Sequence, residues 1–189
     1  MDEERFARLE ARVRRLEDEV TITRLLASYG PFVDAGAAPE AANLWTEDGE
    51  YEVEGWSMRG RADIHAMVES AAHHSLIDAG CAHFLGPARV VVDGDTATAV
   101  CESLLVRRYD DGYRVWRAGA NSFRLTRTPH GWRITRRVTR ALDGGPQARD
   151  LLLTNISPAA DRAARHPATP GPGGPASAGD GGRTYDRSE

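Results

Sequence analysis

The sequence predicts an α+β domain in which three N-terminal helices pack on a curled antiparallel sheet. Three observations carry that expectation. Apolar residues at Phe6, Leu9, Val13, Leu16 and Val20 recur at alternating spacings of three and four, the period of a helix. From Ala88 onward the chain becomes long β-prone segments joined by the turns Asp93-Gly94, Asp110-Asp111-Gly112 and His130-Gly131. Helices come first and strands follow, and that segregation marks α+β rather than alternating α/β architecture.

The first helix spans Glu3 to Ala27. Its first half has the narrow stripe of a two-helix seam, whereas Ile22, Leu25, Leu26 and Tyr29 widen the stripe to suit packing on a core. Gly30-Pro31 should bend it and Ala35-Gly36 should end it, because proline lacks the amide donor and glycine suits a left-handed terminus. Pro39 to Trp45 reads as a second helix with proline in its first turn. Tyr51-Glu52-Val53 reads as a strand, and Arg61 to Ala72 as the third helix. His73-His74 then lead into a loop and are expected in solvent. The strands run Cys81–Gly86, Ala88–Val92, Thr96–Val106, Tyr113–Thr126 and Trp132–Arg140. After Leu142 the periodicity fades: Gln147 to Asn155 can form a short helix, and Pro158 onward holds too little apolar surface to offset its ordering entropy. The expected division is a helical extension at 1–18, a domain at 19–145, and a short helix with a disordered Pro/Gly/Ala-rich tail at 146–189.

Composition excludes several functions. With 41% hydrophobic and 28% charged residues among 189, the chain suits one core, and a net charge of -4 gives no field for nucleic acid. The acidic start Met1-Asp2-Glu3-Glu4 is unlike a targeting peptide, and no apolar run approaches membrane length, so a cytoplasmic protein with no membrane partner is expected. Cys81 and Cys101 sit in strands without a metal-binding spacing; no metal and no organic cofactor is expected. Glycine-rich phosphate loops and nucleophile elbows are absent from the sequence.

A helix ending in Asp34-Ala35-Gly36, then Leu44-Trp45-Thr46-Glu47-Asp48-Gly49, then long strands closing on Gly131-Trp132-Arg133-Ile134, resembles the SnoaL-like branch of the NTF2-like superfamily over about Val20 to Leu142. The resemblance implies a cone-shaped α+β barrel enclosing a pocket. The subgroup it is most similar to is scytalone dehydratase, which removes water by acid/base chemistry without a cofactor. On that resemblance the catalytic aspartate falls on Asp34, the histidine on His83 in His83-Phe84-Leu85-Gly86, and the pocket asparagine on Asn121; Tyr51 takes a tyrosine position. The pattern departs at Val33 (tyrosine expected), at Gly119 (serine expected) and near Val106 (histidine expected).

The residues themselves support a dyad: a carboxylate that orients an imidazole makes a general acid/base. Turn formation explains Asp34 equally well without chemistry. Strand alternation places Tyr113, Val115, Gly119, Asn121, Phe123 and Leu125 on one face, a candidate pocket wall with polar Asn121 among apolar neighbours. Glu102 shares a face with Val100 and Leu104, where it needs an arginine or a pocket. Tyr51, Trp56 and Trp116 could line a site for a ring-bearing substrate. Arg133, Arg136, Arg137 and Arg140 could hold an anion, but a solvated edge paired with acidic neighbours is the expected reading. The expected function is therefore a dehydratase, cyclase or isomerase acting on a hydrophobic oxygenated small molecule such as a polyketide-type intermediate. A noncatalytic binding or assembly module is the alternative. An open sheet face and the seam-like helix both point to a homo-oligomer, dimer or trimer.

Overall fold

The computed structural model describes residues 2–154. The three expected helical stretches are present, two of them broken. The first runs as α1 (Asp2–Ala27) and α2 (Tyr29–Asp34). Between them Ser28 turns its hydroxyl back onto the Arg24 carbonyl at 2.8 Å, and Pro31 has no amide to continue the ladder, so the helix bends there. The second is α3 (Ala38–Ala42), shorter than expected: Trp45 begins strand β1 (Trp45–Val53) instead. The third divides into α4 (Gly60–Val68) and α5 (Ala71–Ala79) because Ser70 caps a new helix, accepting from the His73 amide. A short strand β2 (Trp56–Arg59), not expected from the sequence, hairpins onto β1.

The other strands are β3 (Cys81–Leu85), β4 (Arg89–Asp93), β5 (Thr96–Tyr109), β6 (Gly112–Thr128) and β7 (Gly131–Ala141). They join one sheet in the order β2-β1-β7-β6-β5-β3, with β4 also on β5. The pairings are antiparallel except one, since β1 runs parallel to β7. The sheet curls around the helices and does not close. α6 (Pro146–Leu153) packs on β5, β6 and β7, where Ala120, on the opposite face from Asn121, is fully buried. The tail expected to be disordered lies beyond the described residues.

A break in strand alternation corrects one expected face. Leu105 pairs with Arg117 but Val106 pairs with Val115, so a bulge at Trp116 turns Tyr113 and Val115 away from the side that carries Gly119, Asn121 and Phe123. Tyr113 and Val115 are accordingly exposed. The inner face buries Trp45, Phe123, Trp132 and Ile134 against Ile22, Leu26 and Val33 from the helices.

An ion pair between buried Asp18 and half-buried Arg127 fixes α1 on this core. Asp18 is 7% exposed, takes both terminal nitrogens of Arg127 at 2.9 and 2.6 Å, and accepts from the Trp132 indole at 3.0 Å. The Arg127 hydrogen bonds outweigh burial and hold the Asp18 carboxyl below its ordinary 3.8. Replacing it with Asn should lower unfolding stability by about 1–3 kcal/mol, because Arg127 and the Trp132 indole lose a charged acceptor while Arg127 keeps Asp95. A depressed folded value means that the contribution is complete above pH 3.8 and disappears as pH falls through the folded value. The variant should therefore lose less stability than wild type on acidification below that pH, as read by urea titrations.

Candidate active site

The bend in the first helix decides what the site contains. After it, α2 lies across β3 so closely that a Cβ on Gly30 would stand 2.0 Å from the His83 carbonyl oxygen. Only glycine permits that approach. Four residues on, at the end of α2, Asp34 meets His83. Its Oδ1 lies 2.6 Å from His83 Nδ1, and its Oδ2 accepts the His83 backbone amide at 2.8 Å. The two residues expected to form a dyad are thus in contact.

Burial pushes the Asp34 carboxyl up, but hydrogen bonds from the His83 ring and amide, with the charge of the imidazolium, outweigh it and leave the carboxyl below 3.8. An ionised carboxylate only accepts, so Nδ1 must donate, and Nε2 remains the atom that can take or give a proton. Cys81 adds a weak third bond to Asp34 at 3.7 Å. Burial and the Asp34 charge push the Cys81 thiol up to about 11, which keeps it a donor. Asp34, Cys81 and His83 offer donor atoms within 4.8 Å of one another, a geometry that could hold a metal ion. With the thiol protonated and Nδ1 committed to Asp34, this cluster is satisfied by its own hydrogen bonds.

His83 lines a cavity of about 150 Å³ whose apolar wall includes Met58, Met67, Leu85 and Leu105. Of the other expected site residues, Tyr51 and Trp56 line it, and four do not. Phe123 is core beneath it. Glu102 is exposed on the outer face, where its carbonyl accepts from Gly86. Trp116, 55% exposed, sits beside Arg107 on the bulge. Asn121 is wholly buried, and its amide is fully used: Oδ1 accepts from Arg137 and Thr139, while Nδ2 donates to Ser103 Oγ at 2.8 Å. It cannot present a donor to a substrate and instead positions Arg137.

Three residues with other expected roles belong to the site. Arg137 was expected on a solvated edge, but β7 lies inside the sheet between β1 and β6, and Arg137 is 3% exposed in the cavity floor. Its neighbours do pair with acids as expected, Arg136 with Glu50 and Glu52 and Arg140 with Glu52, but on an interior strand rather than an edge. Tyr29, taken for plain core, lines the cavity; burial, with Tyr51 beside it, pushes its hydroxyl up, so it stays neutral. His73, expected in solvent, is buried: its Nε2 lies 2.8 Å from the Val33 carbonyl, and its ring stands 5.7 Å from that of His83. A carbonyl only accepts, so His73 Nε2 donates, tying α5 to the residue before Asp34. The bulge in β7 that turns Arg137 inward follows from pairing of Arg124 with Arg136 and Leu125 with Ile134, which alternation alone could not reveal.

Replacing Gly30 with Ala should force α2 away from β3. We expect a loss of about 1–3 kcal/mol in chemical denaturation, with loss of the Asp34 to His83 hydrogen bond in the variant's crystal structure.

Comparison with known proteins agrees with the fold. The SnoaL-like domain family matches residues 14–138. Among solved structures, an NTF2-like protein with a cystatin-like fold from Novosphingobium aromaticivorans is 48% identical with a TM-score of 0.75, over 76% of this chain and 94% of that one. A Mycobacterium tuberculosis protein of unknown function is 27% identical with a TM-score of 0.61, over 76% and 94%. A putative aromatic ring hydroxylase from Novosphingobium aromaticivorans is 25% identical with a TM-score of 0.54, over 67% and 90%. No curated protein matches the chain. No described helix is long and apolar enough to cross a membrane. With its curled sheet, its cavity and a match across most of its length, the chain belongs to the SnoaL-like family of the NTF2-like superfamily.

Proposed function

We propose that this protein is a cofactor-independent acid/base enzyme, a dehydratase, cyclase or isomerase acting on a hydrophobic oxygenated small molecule. One observation carries the reading: His83 lines the cavity while Asp34 holds its Nδ1 at 2.6 Å, so Nε2 is the ring atom able to exchange a proton with a bound substrate. The apolar wall favours a hydrophobic substrate, and the cation of Arg137 at the floor favours one that carries negative charge on oxygen. His83 removes a proton next to a carbonyl. Returning that proton to another carbon isomerises the substrate; giving it to a departing hydroxyl eliminates water. The similarity to scytalone dehydratase supports the second outcome, and the departures at Val33, Gly119 and Val106 leave His83 as the proton carrier.

Deuterium exchange at the α-carbons of cyclohexanone in D2O, followed by NMR, tests the first step without knowledge of the natural substrate. Wild type should accelerate exchange, and His83→Ala should lose about 100-fold or more of that acceleration while keeping the fold. Equal rates in the two proteins would remove His83 as the base.

We propose further that the outer face of α1 pairs two copies of the chain. Phe6, Leu9, Val13, Leu16 and Val20 are 47–63% exposed there, while Asp18, Ile22 and Leu26 bury the opposite face. Valine at two of the three first seam positions with leucine at the alternate ones suits a parallel two-stranded coil. The flanking charges agree. In a parallel pair Arg5 of one copy meets Glu10 of the other, Arg12 meets Glu17, and Glu19 meets Arg24; antiparallel pairing would set Glu10 against Glu17. Light scattering should give a dimer that Leu9→Glu with Leu16→Glu converts to monomer. An unchanged mass would contradict the pairing.

A further inference from the structure

The floor of the cavity carries a charge that proton transfer at His83 does not require in the resting state. Arg137 Nε and Nη2 donate to the neutral Asn121 Oδ1 at 3.1 and 2.8 Å, and Nη1 is buried with no hydrogen-bond partner among the described residues. In place of a carboxylate the guanidinium has rings around it, Tyr29 at 4.3 Å, Tyr51 at 4.4 Å and Phe123 at 5.3 Å. Aromatic faces recover part of the desolvation cost of a cation, but a buried charge without a counterion still costs several kcal/mol. Elsewhere the chain meets this cost with acids: Arg127 has Asp18, Arg136 has Glu50 and Glu52, Arg61 has Glu47. Arg137 is built differently, and it lines a cavity.

A second cation stands on the same wall. Arg117 also lines the cavity; its Nε makes no hydrogen bond, and its Nη2 lies 3.4 Å from Glu54, an acid 43% exposed at the turn after β1. Its pairing is loose enough to yield to a better anion. Between these arginines and the apolar wall, the free volume of about 150 Å³ matches a cavity that holds one benzene-sized ring.

We propose that the cavity takes a small organic acid with one apolar ring, its carboxylate held by Arg137 Nη1 and assisted by Arg117, its ring against Met58, Met67 and Leu85. This rests on the reading of the cavity as the substrate site and adds the chemical class of its ligand. A carboxylate brings the missing counterion beside the buried guanidinium and supplies two acceptors for a donor that has none, so charge and hydrogen bonding are completed together. Steric room and apolar contact alone would accept a neutral ring equally well. Arg137 is what should discriminate.

Calorimetric titration of the full chain with benzoate and cyclohexanecarboxylate, each against its carboxamide, tests the assignment. Wild type should bind each acid at least ~10-fold tighter than the amide of the same shape. Arg137→Met should abolish that preference and Arg117→Gln should reduce it, whereas His83→Ala should keep it, so a failed acid/base mechanism and a failed ligand class give different results. Equal affinity of wild type for acid and amide, or no binding of either, overturns the proposal. So does a preference that survives Arg137→Met. Should Arg137→Met not fold, the acid-versus-amide comparison in wild type decides alone.

Discussion

The hydrogen bond between Asp34 and His83 is the interaction on which the rest of the site depends, and a steric concession at Gly30 makes it possible. A helix normally keeps its side chains' distance from a neighbouring strand, but α2 rests its backbone on the His83 carbonyl. That approach brings the end of α2 within reach of both the amide and the imidazole of one strand residue. Two contacts from one carboxylate fix the ring's position as well as its proton, and each charge-assisted bond contributes about 1.5–3 kcal/mol. His73 braces the same corner through the Val33 carbonyl. A general base must be held still before its basicity matters, and here three elements hold the proposed one.

Arg137 gives the site its polarity. Register sets Tyr51, Arg137 and Phe123 in one row across β1, β7 and β6, so the guanidinium lies between rings, with Asn121 below it from the next row. Asn121 then has a clear purpose that differs from the expected one. Its carbonyl oxygen accepts from both Arg137 and Thr139, and its amide nitrogen is anchored on Ser103. An asparagine can orient a cation without neutralising it; an aspartate there would cancel the charge that the cavity presents.

Much of this was legible in the sequence because it rests on local patterns. The dual character of α1 shows in its stripe, which is narrow to Val20 and broad after it, and the long strands show in their turns. Asp34 and His83 could be paired because Asp34 closes a helix, His83 lies in a short strand, and the family resemblance set both in one pocket. What stayed hidden depends on bulges and strand order. Arg137 looks like one arginine of a polar run until the bulge in β7 and the parallel pairing with β1 place it inside. Tyr113 and Val115 were assigned the wrong face for the same reason, since one extra residue at Trp116 reverses alternation. His73 was missed because a cap at Ser70 started a second helix where the sequence suggested a loop. In the case of Gly30, its flexibility was legible, whereas its close approach to a strand some fifty residues away was not.

The central claim is that Asp34 fixes the proton of His83 on Nδ1 and leaves Nε2 for chemistry. Nitrogen-15 NMR of the histidine-labelled full chain measures this directly through the shifts and couplings of the two ring nitrogens. The account predicts that the neutral His83 ring carries its proton on Nδ1, with a strongly downfield proton that disappears in Asp34→Asn. A neutral ring protonated on Nε2, or a spectrum indifferent to Asp34, would contradict it.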